Sequence, residues 1–525
     1  VRWPSGKHLI LTNLTANQRY DLEEVAESSG EPVVGRESVP APLHFEAVPS
    51  GLTSEALGGD DFSRQPMLPR RLSTQSPALS WRQSGGVSNL LWIGGASTQP
   101  IRQVSVEGVR VVSTQGLGSP VTTAALLAWG KELLVADVPS GRKEGGGSLA
   151  RVSLSDGSRV AISTAVTAPA ALAVSTPNPS EGAWLFVGGG PLPGRYPQGD
   201  ASEFLRFTGG RWTAHTTTNL GLVTAAVFGD LDGDGRGELI AAVEWGAPKI
   251  LRERDGVWEP WEIPLQVTAG KPVPLSVLNG WWQSVVIDDF DGDGRRDVVL
   301  GNWGLNSPYA LLGGTATRPG GGIRPLMLFH GDGSEETSGL CLEAYTGVDG
   351  RVLPIRSRTD IAPLLPGVTE RFPTHRAYAS ATALEVLGDR MTGIRRSECR
   401  WMASVILLNR EGTFVLQDLP DEAQLGPVFG MAVADFNGDG TRDVYCAQGF
   451  FGHHFGMPRE DAGEGVFLLG RGNGSFTAIS SAECGVRLLG EQRSVLAGDL
   501  DGDGRPDLIV GEHGGPISFL MNRKP

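Results

Sequence analysis

A chain of 525 residues with 74 Gly and 35 Pro carries too much turn-forming punctuation for long helices, and its 40% hydrophobic content points to many short strands. The formal charge of −14 lacks the basic footprint of a nucleic-acid binder, and no apolar run reaches the length of a membrane span. The nearest run, 121–138, is broken by Lys131 and Glu132. Four cysteines (Cys341, Cys399, Cys446 and Cys484) fit no CxxC metal pattern and are too few for a disulfide scaffold. Cys341 with Cys399 is a candidate bridge in an oxidising compartment, and buried free thiols are the alternative.

The chain opens at Val1 without an initiator Met, which reads as part of a longer polypeptide, so the lack of a signal peptide says little about export. Residues 1–24 pattern as a β-hairpin too small for a domain, and a Ser/Gly/Glu/Pro-rich linker follows over 25–40. From 41 to 525 a strand–loop–strand anchor recurs eight times: 77–95, 124–138, 171–190, 229–243, 288–302, 326–345, 434–448 and 498–512. After most anchors come two further apolar strands, as at 404–410 and 412–419, or 465–471 and 474–480. Four antiparallel strands at intervals of roughly 40 to 65 residues is the pattern of propeller blades. The predicted fold is therefore all-β, a β-propeller of eight four-stranded blades. Seven is the alternative, because 305–325 leave little room to complete the fifth blade. Residues 359–388 read as one or two short helices inserted within a blade. The last anchor is followed by a single strand, 517–523, and LHFEAV at 43–48 is the candidate for the missing one. Pairing the two ends closes the ring and removes the exposed sheet edges.

Four anchors carry an acidic loop with acids or amides at positions 1, 3, 5 and 9 and Gly at position 6. The first offers Asp230, Asp232, Asp234 and Glu238; the second Asp289, Asp291, Asp293 and Asp297. The third offers Asp435, Asn437, Asp439 and Asp443; the fourth Asp499, Asp501, Asp503 and Asp507. Ca²⁺ is a hard cation that takes six to eight oxygens in flexible geometry, and alternating acids on a tight loop point inward. The position-7 carbonyls of Arg236, Arg295, Thr441 and Arg505 are candidate further ligands. An EF-hand would need a bidentate Glu at position 12, where this chain has Ala241, Leu300, Cys446 and Val510. The expectation is thus about four Ca²⁺, each stapling a loop between two strands. Much of the chain's acidity is these loops.

The four loops resemble the FG-GAP/VCBS repeat of integrin-type propellers. The stretches 62–73, 185–197, 280–294, 301–307 and 371–379 are similar to propellers paired with ASPIC/UnbV domains, and VRWPSGK with LTNLTANQRY at the start resembles the end of such a domain. The resemblance implies a calcium-binding, extracellular or periplasmic repeat protein, an integrin-like module of cell adhesion, within a longer polypeptide. It also implies no calcium at the anchors that have lost their acids.

If the acidic loops join the first and second strands of each blade, the second-to-third-strand loops emerge on the opposite face. That face gathers Arg195, Tyr196, Glu244, Trp245, Trp281, Trp282, Asn302, Trp303, Phe450, Phe451, His453, His454, Glu512 and His513. Such residues suit an aromatic and polar mouth for a protein or glycan ligand, although each Trp is as readily a packing residue between blades. No nucleophile elbow, zinc-protease motif or nucleotide fingerprint appears. The expected function is non-enzymatic adhesion or ligand binding. The rival is a polysaccharide lyase using Glu244 and Glu512 as acid and base.

Overall fold

A computed structural model describes residues 43–523, except 57–60, 74–76, 84–88, 97, 139–145, 177–181, 268–270, 313–323, 333, 335–336, 338, 455 and 480. The described residues fall in one compact unit, Pro42–Pro525. The hairpin expected over 1–24 and the linker over 25–40 lie outside them. The fold is the predicted all-β propeller, with eight mostly four-stranded, antiparallel sheets whose first and last strands pair.

Sheets one to four follow the chain without interruption, starting at the inner strands Leu79–Arg82, Thr122–Trp129, Pro169–Val174 and Leu222–Gly229. Sheet five joins Ser284–Asp288 and Asp297–Gly301 to Val405–Asn409 and Phe414–Asp418, and it is widened by Pro264–Gln266 and Val273–Pro274. Sheet six starts at Gly430–Ala434. Sheet seven runs Gln492–Gly498, Asp507–Glu512 and Pro516–Arg523, and His44–Thr53 adds its fourth strand. The inner strands of these seven sheets lie against one another in succession, and the seventh returns to the first. The remaining sheet (Leu326–Gly331, Cys341–Thr346, Val352–Pro354 and Ile394–Cys399) is built wholly from the connection between the second and third strands of sheet five. Both blade counts raised by the sequence therefore have a referent: eight sheets, seven of them around the axis.

Burial explains the strand patterns. The second strands, such as Ala183–Gly189 and Asp297–Gly301, are buried at every residue because sheets cover both of their faces. Outer strands such as Arg110–Leu117 are mostly exposed. Between its strands Val352–Pro354 and Ile394–Cys399 the inserted sheet carries four short helices, Arg358–Ile361, Val368–Arg371, His375–Ala379 and Ala383–Leu387, in place of the one or two expected. The strands at 404–410 and 412–419 complete sheet five and not the sheet of the preceding anchor, since Val405–Asn409 pairs with Asp297–Gly301. The disulfide option is also corrected. All four cysteines are free and buried, and Cys341 and Cys399 lie on strands either side of Leu326–Gly331. Two strand spacings exceed the reach of a disulfide.

Candidate metal loops and the capped face

Each acidic loop is built to one plan. Its first Asp accepts backbone N–H groups from positions 4 and 6: Asp230 from Gly233 (2.7 Å) and Gly235 (2.9 Å), Asp499 from Gly502 (2.7 Å) and Gly504 (3.0 Å). Asp289 and Asp435 do the same for Gly292, Gly294, Gly438 and Gly440. These glycines all have φ between 74° and 87°, so position 4 needs Gly as much as position 6 does. Position 5 accepts from the position-7 N–H, as in Asp293 from Arg295 (2.9 Å).

The ninth residue has a second task. Asp297 is fully buried and accepts from Phe290 N (2.9 Å) and from Asn409 N (2.8 Å) on the third strand. Asp443 does so with Phe436 N and Gly470 N, and Asp507 with Leu500 N and Asn522 N. Glu238 accepts from Leu231 N (2.7 Å). Burial, with the repulsion of neighbouring aspartates behind it, raises these carboxyls to about 7 for Glu238 and Asp443 and about 6 for Asp297 and Asp507.

Three trios, Asp230–Asp232–Asp234, Asp289–Asp291–Asp297 and Asp499–Asp501–Asp507, each bring ligand oxygens within 4.8 Å of one another. An all-oxygen carboxylate set fits a hard divalent cation. Guanidinium groups flank two of the sets: Arg410 pairs with Asp291 and Asp293, and Arg523 with Asp501 (2.9 Å).

The loops also reach across sheet boundaries. The apolar position-2 residues Leu231, Phe290, Phe436 and Leu500 are buried, and the next sheet caps each of their carbonyls. Asn409 Nδ2 donates to Leu231 O (2.7 Å), Gly474 N to Phe290 O (3.3 Å), Asn522 Nδ2 to Phe436 O (2.7 Å) and Asn89 Nδ2 to Leu500 O (3.4 Å). Sequence reasoning missed these latches. Their signal was the repeated third-strand ending LLNR (407–410), LMNR (520–523) and LLGR (468–471).

The opposite face differs from the expectation of an open mouth. Trp281, Trp282, Asn302 and Trp303 have no exposed surface, and Tyr196, Glu244, Trp245 and Glu512 are buried. Arg195 remains exposed, and His513 is half-buried. The reason is a cover of two parts. The inserted sheet, through residues such as Leu328 and Leu342, and its helix Ala383–Leu387, through Val386, share one core with Trp245, Trp281 and Trp303. The segment 61–73 crosses the same face: Gln65 exchanges two hydrogen bonds with the Tyr196 backbone (3.0 Å each), and Arg71 N bonds Gly452 O (2.7 Å). Arg356 of the insertion bonds Met67 O.

Buried charges pair beneath this cover. Glu244 accepts from Arg70 Nε (3.2 Å) and Nη2, from Tyr196 OH and from Trp281 Nε1. Glu343 meets Arg356 (3.0 Å) and Tyr309 OH (3.1 Å); burial alone would raise its pKa, but Arg356 and His454 hold it below the ordinary value. Glu460 accepts from Trp303 Nε1 and faces His453 Nε2, both at 3.0 Å. His453 and His454 thus face carboxylates under the cover and not a ligand at the surface.

A family model for the FG-GAP-like repeat matches residues 230–300 and 455–510, spans that contain the first, second and fourth acidic loops. No curated protein matches the chain. The chain therefore carries FG-GAP-type repeats on a propeller with Asp clusters able to chelate a divalent ion. Among the described residues, no helix is long and apolar enough to cross a membrane.

Proposed function

We propose that this chain is a calcium-stabilised propeller of the extracellular, cell-surface or periplasmic space that holds a protein or glycan ligand and performs no chemistry on it. The observation that carries the reading is the convergence of three acid trios in loops of one backbone plan. The third loop, with Asn437 in place of an acid, shares that plan and is read as a fourth calcium site, with Asp435, Asp439, Asp443 and the Thr441 carbonyl. Carboxylate cages of this kind suit the submillimolar to millimolar affinities of extracellular modules. The likeness of 62–73, 185–197 and 280–294 to ASPIC/UnbV-associated propellers supports that subtype, within an integrin-like family and a longer polypeptide.

Binding is favoured over a lyase because Glu244, one of its two candidate carboxylates, is committed to a buried pair with Arg70. Metal analysis and a glycan and peptide array, run with calcium and with chelator, test the reading. Bound calcium and an array ligand are expected. Polysaccharide turnover abolished by Glu244→Gln and Glu512→Gln would establish the lyase instead.

A further inference from the structure

Residues in or next to the inner strands of all seven sheets line a chamber of about 220 Å³ on the axis. Sheets one to three supply Ala78, Ala124 and Ala170; sheets four to seven supply Thr224, Gln283, Phe429 and Arg493. Four of these strands shift register at this level, between Thr123/Ala125, Pro169/Ala171, Val223/Ala225 and Gln492/Ser494. Such bulges re-aim side chains, and here all four extra residues line the chamber. One arc is apolar, with Pro77, Leu79 and Leu126 beside the alanines, and the other holds two hydroxyls (Thr224 and Ser494), an amide, an aromatic ring and a guanidinium.

The chemistry of that second arc selects an occupant. Arg493 is roofed over Phe429 (4.0 Å to the ring centroid) and paired with Glu491 (2.6 Å), so its charge is balanced within the protein and gives an anion little. Among the described residues no carboxylate lines the chamber, so a cation gains nothing either. Gln283 is 6% exposed. Its Nε2 donates to Trp281 O (3.2 Å), while its Oε1 accepts from no described residue. Thr224 Oγ1 lies 3.0 Å from Trp282 O and 3.2 Å from Ala242 O, which take its proton and leave its lone pairs as acceptors. A purely apolar guest would strand the Gln283 carbonyl, whereas a hydroxyl donates to it. The partly exposed Phe429 ring and the alanine arc offer the other side of a guest an apolar wall. At about 220 Å³ the chamber falls below the sites that take drug-sized ligands and is of a size for a single ring.

We propose that this axial chamber binds one neutral sugar ring, with its hydroxyls on Gln283 and Thr224 and its C–H face toward Phe429 and the alanines. The inference rests on the reading of the ring as a ligand-binding module and names the site and ligand class within it. The ring is supplied either as a free monosaccharide or as the terminal residue of a glycan.

The test is saturation-transfer NMR and calorimetry on the full chain with calcium, against glucose, galactose, mannose, fucose, xylose and N-acetylglucosamine and their methyl glycosides. At least one sugar is expected to bind the unaltered chain. Gln283→Leu should weaken it about tenfold, the worth of one buried hydrogen bond. Ala170→Phe, which fills the chamber, should abolish binding, and the smaller Ala124→Val should weaken it if Ala170→Phe fails to fold. Methyl glycosides that bind as well as free sugars identify a terminal glycan residue; methyl glycosides that fail identify the free sugar. Binding by none of the panel, or binding unchanged in Gln283→Leu and Ala124→Val, overturns the chamber. An array ligand held equally by the unaltered chain and by these variants would leave the ligand-binding reading standing while the chamber falls.

Discussion

Sheets four to seven and sheets one to three solve the same problem, holding one sheet against the next, with different physics. In the first group an acidic loop turns between the inner two strands, and the next sheet caps its buried carbonyl with an Asn side chain or a backbone N–H. In sheet two the loop shrinks to Gly130-Lys131, and the residue beside it, Trp129, packs on Phe207 (4.6 Å) and Trp212 (5.0 Å) of sheet three. At the same register sheet four has Gly229 and sheet seven Gly498. A Cβ there would meet Ile287 of sheet five at 1.8 Å or Trp81 of sheet one at 2.5 Å. In sheets four and seven, whose loops hold acids, the neighbour reaches in, and in sheet two, where the acids are lost, a tryptophan reaches out. Apolar packing holds every boundary, and sheets four to seven add polar latches beside loops able to chelate a divalent ion.

That contrast breaks most sharply under chelation. Calcium at 100 times its dissociation constant contributes about 2.7 kcal/mol per site by mass action. Stripping the three trios should therefore lower the melting temperature by more than any single substitution. Hydrogen exchange should quicken at 230–238, 289–297 and 499–507 and stay unchanged across Trp129–Glu132. Equal loosening of all seven boundaries would contradict the division. The aromatic half gives the reciprocal test. Trp258 stacks on Phe204 at 4.3 Å and meets Trp184 edge-on at 5.5 Å between sheets three and four. Trp258→Ala should cost about 3–5 kcal/mol in denaturant unfolding, by the same amount with calcium or with chelator.

These comparisons also show what the sequence could carry. All eight anchors are hairpins in the structure because apolar alternation and an acidic or Gly-bearing turn are local signals, readable over fifteen residues. The segment 404–419 is legible as two strands, but its sheet is not. Closing sheet five depends on a partner more than a hundred residues earlier, which no local pattern records. The capped face failed for a related reason. Trp281 and Trp303 look alike whether they stack on a ligand or, as here, on each other at 4.1 Å beneath an inserted sheet. Spacing shows which residues share a loop, and not what folds back over them.

Two smaller substitutions separate the metal's share from the latch's share. Asp297→Ala strands the N–H groups of Phe290 and Asn409 as well as removing an oxygen ligand, so about 2–3 kcal/mol of its cost should survive in chelator. Asn409→Ala leaves every acid in place and uncaps Leu231 O, for about 1 kcal/mol, with faster exchange confined to the boundary between sheets four and five. If Asn409→Ala instead lowers calcium affinity at the second loop alone, the asparagine serves its own loop and the cross-sheet latch is incidental.

The subtlest effect is on pH. Glu238 and Asp443 sit at about 7 and Asp297 and Asp507 at about 6 in the metal-free fold, raised first by burial and then by neighbouring aspartates. The unfolded chain releases the same protons near pH 4. Between those values the native state binds more protons than the unfolded one, so these groups make the chelated ring more stable as pH falls through 7 toward 4. Calcium needs the ionised form, so its stabilisation is full above about pH 7 and is lost as protons displace it below 6. Melting temperatures with and without calcium should diverge at pH 7.5 and converge near 5.5. Other groups, such as Glu343 in its pair with Arg356, titrate in both samples and cancel in the difference. A gap that stays constant across that range would mean that the ninth carboxyls serve only as backbone straps, and that the trios hold their ion without them.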